Sequence, residues 1–300
     1  MFRLAHISDI HLGPLPAPAY RDLISKRITG YINWRRNRSS NLHEGVIDNI
    51  VADLKAASPS HIAVTGDLIN LALDGEVTLS RLWLESLGNP DDVSVVPGNH
   101  DAYVPKALDK ACAAWGPWMH GDGQVEPARR GTFPYMRVRD DVALIGVSSA
   151  RATAPFMASG FFGDKQAERL GAMLDEARAN KLCRVIMIHH PPVRGAAPAH
   201  KRLLGIGLFQ KVIRQHGAEL VLHGHTHLPT THRIEGLERD VPVVGVAAAG
   251  QAPNGSKPAA QHNLLEIERS NQGWRIELTR RGITNDNSAV HTIATETLSR

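Results

Sequence analysis

Cysteine is nearly absent from this 300-residue chain: only Cys112 and Cys183 occur, in different segments and without C-x-x-C spacing. That argues against a thiolate zinc or redox site and against a disulfide framework, and both thiols are expected to be reduced. No run of eighteen apolar residues exists, so no transmembrane helix is expected. The opening Met1-Phe2-Arg3-Leu4-Ala5-His6 lacks the apolar core and small-residue cleavage site of a secretory signal, which makes the cytoplasm the expected location. Neither G-x-x-x-x-G-K-[ST] nor G-x-S-x-G occurs, so nucleoside-triphosphatase and serine-esterase chemistries lose their usual signals. There is no internal repeat.

What is present is an ordinary folding composition, 42% hydrophobic and 21% charged, enough for one large domain or two small ones. The net charge of +4 leans toward anionic partners such as phosphate esters, nucleic acid or an acidic membrane surface, without choosing among them. Histidine is abundant, at sixteen residues, and its neutral imidazole is the commonest metal ligand.

Short β-branched runs at 2–7, 61–65, 93–97, 142–148, 184–188, 219–222 and 241–247 predict buried strands. Helix-like stretches lie between several of them: 41–57, where Leu42, Val46, Ile50 and Leu54 recur at i+4, then 76–88, 164–180 and 207–216. This alternation predicts an α/β layered fold with helices covering sheets. The runs 262–268 and 274–280 predict a hairpin, 250–258 a loop, and the residues after about 283 a polar, weakly ordered tail.

The chemistry sits where strands end. The runs finish in Ser8-Asp9-Ile10-His11, Gly66-Asp67, Gly98-Asn99-His100-Asp101, His189-His190-Pro191-Pro192 and His223-Gly224-His225-Thr226-His227. In open α/β sheets, ligands bind beside the carboxyl ends of strands, so side chains remote in sequence meet there. Carboxylates, an amide and imidazoles suit hard-to-borderline divalent cations, and seven such groups are too many for one tetrahedral centre. Asp9 and His11 are two apart, which on extended backbone would turn both to one side; His225 and His227 repeat the spacing. Two cations about 3.5–4 Å apart would activate a bridging water as hydroxide for in-line attack on phosphorus and would clamp the departing oxygen. His100 is the candidate to donate a proton or stabilise charge at the leaving oxygen. Gly66, Gly98 and Gly224 each precede a candidate ligand and would permit close approach where a β-carbon collides.

These residues resemble the calcineurin-like metallophosphoesterases, whose elements D-x-H, G-D, G-N-H-[DE], H and G-H-x-H stand here in order as Asp9-Ile10-His11, Gly66-Asp67, Gly98-Asn99-His100-Asp101, His189 and Gly224-His225-Thr226-His227. The resemblance implies a four-layer α-β-β-α sandwich of two mixed sheets. It also implies that Asp9, His11 and His227 bind one metal, Asn99, His189 and His225 the second, with Asp67 bridging and His100 contacting the phosphoryl group. His189 is preferred over His190 by the family's H-x-P spacing, leaving His190 behind the ligand or facing substrate; His223 would orient a ligand. The stretches H-I-S-D-I-H-L-G and M-I-H-H-P-P look most like bacterial class III cyclic-nucleotide and glycerophosphodiester phosphodiesterases. Manganese, iron and zinc all suit the donor set.

The expected activity is therefore hydrolysis of a small or lipid-linked phosphodiester, with phosphomonoesterase and then nuclease as the rivals. A non-enzymatic scaffold would have lost ligands that this chain retains. One domain is expected over 1–283, with helical insertions near 15–40 and 102–130 and a tail at 284–300. Residues 20–38 join apolar positions to six basic ones; a packed helix with a solvated basic face is favoured over a substrate lid or a membrane-surface contact. Trp115, Trp118 and Met119 would stack a base or, more simply, fill core. His43, His120, His200 and His216 stand apart and carry no site role.

Overall fold

Phe2–Ile7 form strand β1, and its four C-terminal residues are fully shielded from solvent, as a strand covered on both faces requires. The computed structural model describes residues 1–18, 23, 25–37, 45–253, 256–271, 273–284 and 287–299. Helices α1 (Arg27–Asn37) and α2 (Val46–Ala56) follow, then β2 (His61–Val64), α3 (Asp74–Leu87) and β3 (Val93–Val95). Strands β1, β2 and β3 are parallel neighbours, with Leu4 opposite His61 and Ile62 opposite Val93, so their carboxyl ends share one edge. In α2 the buried side chains are Val46, Ile50 and Leu54, the expected i+4 stripe; Leu42 and His43 lie outside the described residues.

The second half repeats the logic. Helix α4 (Ala107–Trp115) leads to β4 (Tyr135–Arg139), β5 (Val142–Gly146), the short β6 (Gly160–Phe161), α5 (Asp164–Ala179), β7 (Cys183–Met187), β8 (Leu203–Leu204), α6 (Ile206–His216), β9 (Leu220–His223), β10 (Thr231–Ile234) and β11 (Val241–Gly245). Strands β5, β7, β9 and β11 run parallel in one sheet of order β10-β11-β9-β7-β5-β4, edged by antiparallel β10 and β4. The chain closes with β12 (Gln261–Ser270), β13 (Gly273–Thr284) and β14 (Asn287–Ser299), which complete the first sheet in the order β14-β13-β12-β1-β2-β3.

Strand alternation shows how the sheets stack. On β5, β7 and β9, Val142, Leu144, Val185, Met187, Leu220 and Leu222 join one core with Leu4, Val64 and Val95 of the first sheet. Their neighbours Ile145, Ile186, Ile188 and Val221 face the other way and pack with Leu170 and Leu174 of α5 and Phe209 and Ile213 of α6. Helices outside, two mixed sheets inside: the architecture is the α-β-β-α sandwich. Each such aliphatic side chain contributes roughly 1.5–3 kcal/mol by leaving water.

One expectation needs correction. The supposed tail is instead strand β14, antiparallel to β13 from Thr284↔Asn287 to Ile276↔Ser299. An edge strand can stay polar because one side meets water, and its threonines suit extended backbone, so low apolarity there did not mean disorder. In the 102–130 insertion the simpler reading holds: Trp115, Trp118 and Met119 fill core, and the two indoles donate to Val77 O and Gly88 O.

In the 20–38 segment, Arg27 donates to the carbonyls of Leu71 and Ala72, and Lys26 to Thr153 Oγ1 and Met157 O. Ile28 and Ile32, one turn apart, remain exposed. Residues 19–22, 24 and 38 of this stretch, like 254, 255 and 272 farther on, lie outside the described residues. Among the described residues no helix is long and apolar enough to cross a membrane. Cys112 and Cys183 are buried free thiols, and burial pushes the Cys112 group up to about 12.

Candidate metal centre

Just past β1 the chain leaves extended geometry: Asp9 and His11 adopt φ of 54° and 48°, in the left-handed region that non-glycine residues rarely visit. The extended-backbone premise for this pair is therefore wrong, yet both side chains reach the same place. Asp67, His225 and His227 share the left-handed conformation, with φ of 55°, 68° and 57°. Such strain is tolerated where surrounding contacts fix the backbone, and it gathers here at five candidate ligands.

Neighbouring glycines make the convergence possible. A β-carbon at Gly98 would overlap Asp67 Oδ1, one at Gly224 would overlap Ser8 Oγ, and one at Gly66 would press on the Gly98 backbone at 2.5 Å. The close-approach role expected of all three glycines fits this geometry.

Each buried carboxylate has one oxygen tied to backbone and one turned inward. Asp9 Oδ2 accepts the His225 N–H at 2.9 Å, while Oδ1 lies 3.1 Å from His227 Nε2. Asp67 Oδ1 accepts the His100 N–H at 2.7 Å, while Oδ2 lies 3.3 Å from His189 Nε2, 3.9 Å from His11 Nε2 and 4.0 Å from His100 Nε2. Ligand atoms of Asp9, His11 and His227 fall within 4.8 Å of one another, as do those of Asp9, Asp67 and His189, of His11, Asp67 and His100, and of His189, His190 and His225. Asn99 joins through Oδ1, 3.2 Å from His189 Nε2. All seven residues named from sequence, with His100, come together at this edge.

Carbonyls select the nitrogen that faces the cluster. His11 Nδ1–H donates to Ile69 O, His100 Nδ1–H to Asn70 O, His189 Nδ1–H to Thr65 O and His225 Nε2–H to Lys201 O. In neutral His189 the Nε2 lone pair therefore meets Asp67 Oδ2 and Asn99 Oδ1, an arrangement that repels unless a proton or a cation lies between. Burial would lower the His189 pKa, but the Asp67 carboxylate outweighs it and lifts it to about 9. Burial likewise opposes charge on Asp9, yet His227 and His189 hold it well below the usual carboxylate range; His189 and His100 do the same for Asp67. A field that retains an extra proton also favours a metal ion, so the donor set fits divalent cations.

His190 differs. Its Nε2–H donates to Ala158 O at 3.0 Å and its Nδ1 pairs with Ser149 Oγ at 2.8 Å, so both nitrogens are engaged inside the protein. Burial and the neighbouring His189 lower its pKa to about 3. His223 is likewise turned away, with Nδ1 on Gly224 O.

Sequence reading missed the supports. Asp101 was visible as the last letter of G-N-H-D but without a role; buried, it accepts the N–H groups of Gly98, Asp67 and Leu68. Glu76, buried at the start of α3, accepts those of Asn70, Leu71 and Leu73 and so fixes the loop whose Asn70 carbonyl orients His100. An acid in the first turn of a helix, where Glu76 stands with Asp74, signals capping, not site support. Tyr103 stacks on His100 with ring centroids 5.4 Å apart.

Comparison with known proteins agrees with this picture. A sequence model of the family described as calcineurin-like phosphoesterase matches residues 2–229. The fold is similar to that of a dimetal phosphatase from Danio rerio, at a TM-score of 0.65 and 15% identity over 99% of both chains. It is also similar to purple acid phosphatase PPD1 from yellow lupin seeds, at 0.54 and 12%, covering 99% of this chain and 53% of that one. Comparison with curated protein sequences gives no match.

Proposed function

Because the chain belongs to the calcineurin-like phosphoesterase family and is a phosphoester hydrolase that works with divalent metal, we propose that it is a phosphodiesterase holding two cations, acting on a small or lipid-linked diester. The observation that carries this reading is the meeting of Asp9, Asp67, Asn99 and four imidazoles at the strand ends, with lone pairs facing one another. Asp9, His11 and His227 would hold one ion and Asn99, His189 and His225 the other, with Asp67 between them. His189 is preferred to His190 because both nitrogens of His190 are already engaged. When bound, the cations supply Lewis acidity that activates water and offsets charge on the phosphoryl group.

The chain's own residues do the rest. Thr65 O, Ile69 O and Lys201 O fix the tautomers of His189, His11 and His225 before substrate arrives. His100, its Nδ1–H held by Asn70 O at 2.6 Å, turns Nε2 to the cluster and is the group to protonate the leaving oxygen. Its side chain is 19% exposed, so substrate can reach it. Preference for a diester is supported by the likeness of the first and fourth motifs to class III phosphodiesterases, and by a groove of about 750 Å³ whose walls flank, in the chain, Ser149 and Tyr103, the residues that touch His190 and His100.

Bis-p-nitrophenyl phosphate, p-nitrophenyl phosphate, cyclic nucleotides and single-stranded DNA, each with added manganese, test the reading. Fastest turnover is expected on a small diester, and preference for the monoester or for DNA would overturn the substrate class. Asn99→Ala should lower bound metal and activity together, by about a hundredfold or more in rate; full activity in that variant would refute the metal assignment.

A further inference from the structure

The groove between the residues after β5 and the start of α4 has a chemical character of its own. The residues after β5 form one wall: Ser148, Ala150 and Arg151 line it, while Ser149 between them holds His190. The opposite wall is the start of α4, where Lys106 stands three residues beyond Tyr103, the ring stacked on His100. Each wall is thus tied through a near neighbour in the chain to a histidine of the catalytic edge, Ser149 to His190 and Tyr103 to His100.

Three cations, Lys106, Arg130 and Arg151, meet one carboxylate there, Asp109. Arg151 is held in place by Ser159, through its hydroxyl at 2.8 Å and its carbonyl at 3.3 Å. Lys106 and Arg130 are exposed and make no ion pair among the described residues. One further feature shows that this is more than a charged surface. Phe161, 51% exposed, presents an aromatic ring at the same groove, 6.0 Å from the Arg151 guanidinium.

We propose that this groove is a subsite for a second phosphate of the substrate, bound by Lys106, Arg130 and Arg151, with the intervening organic group resting on Phe161. The proposal rests on the hydrolase reading above and narrows it: the preferred substrate is a phosphodiester that also carries a phosphate away from the scissile bond. Guanidinium groups match phosphate oxygens in pairs, and a partly enclosed groove weakens the competition from water.

The test uses the full chain, manganese-loaded, and two chromogenic esters: thymidine 5′-(p-nitrophenyl phosphate) and its 3′-phosphorylated counterpart. The native protein should favour the 3′-phosphorylated ester by at least about tenfold in kcat/KM. In Lys106→Ala/Arg130→Ala, and separately in Arg151→Gln, that ratio should collapse toward one. No preference in the native protein, or an undiminished one in both variants, overturns the subsite. Calorimetric titration of the metal-free protein with thymidine 3′,5′-bisphosphate gives a reading independent of turnover: affinity should fall at least about tenfold in the variants, and equal affinity counts against the subsite. If neither ester is hydrolysed while the calorimetric difference holds, the diesterase reading fails and the groove stands only as a phosphate-binding site.

Discussion

Asp101 accepts the backbone N–H of Asp67 at 2.8 Å, and the same carboxylate takes the N–H groups of Gly98 at 2.8 Å and Leu68 at 3.0 Å. One buried side chain thereby ties the loop after β2 to the loop after β3, the two loops that deliver Asp67 and Asn99. Asp101→Ala should cost roughly 2–4 kcal/mol, because four buried N–H groups, that of Ile69 at 3.4 Å included, lose their acceptor. Urea unfolding measures this, and a loss below 1 kcal/mol would mean the loops are held by other means. Asp101→Asn, which keeps one acceptor oxygen, should recover part of the stability.

The candidate ligands were legible because they belong to short motifs placed at strand ends, and strand ends could be read from β-branched runs closed by glycine or proline. The groups that orient those side chains were not legible. Thr65, Ile69, Asn70 and Lys201 act through backbone carbonyls, which leave no trace in side-chain identity. Which way a loop turns was also hidden: nothing in Asp9 or His11 announces left-handed backbone. The misread C-terminal strand shows the converse limit, since polarity at an edge looks like disorder when the partner strand is not in view.

His100 should separate chemistry from metal binding. If Nε2 protonates the leaving oxygen, His100→Asn lowers kcat by about 100-fold or more while bound metal stays at the native level. The effect should be smaller on p-nitrophenyl esters, whose leaving group departs without a proton, than on alkyl esters. Equal losses on both would reassign His100 to charge stabilisation.

Acid should weaken the α2–β13 contact through a group far from the centre. Asp53 accepts from Arg281 through two guanidinium nitrogens, at 2.6 and 2.7 Å, and from His262 Nε2 at 2.7 Å. The Arg281 hydrogen bonds hold its carboxyl below the ordinary value of 3.8, and burial lowers His262 from 6.5. Both groups bind protons more readily in the unfolded chain, so stability declines as pH falls. The histidine contribution begins to fade below about 6.5, and that of Asp53 is present above 3.8 and disappears as pH drops through its lower folded value. Asp53→Asn should reduce the slope of unfolding free energy against pH below 4; an unchanged slope would assign the acid sensitivity elsewhere.

Strand β14 offers the most direct check of the corrected C-terminus. Its backbone covers one edge of β13, and Leu298, 2% exposed, reaches the central core. It also bridges to the second sheet: Arg233 donates to Leu298 O at 2.9 Å and Thr231 Oγ1 to Glu296 at 2.8 Å. Ending the chain after Thr284 would strip these contacts and bare a twelve-residue strand, β13, to other molecules. Loss of the Leu298 side chain alone removes roughly 1.5–3 kcal/mol. At about 2–4 °C per kcal/mol for a chain of this size, the thermal midpoint should fall by roughly 5–10 °C, with turbidity that rises with protein concentration. Leu298→Ser, which keeps the backbone pairing, should show the lower midpoint without the aggregation. A truncated chain that melts at the native temperature would mean that β14 adds nothing to the sheet it edges.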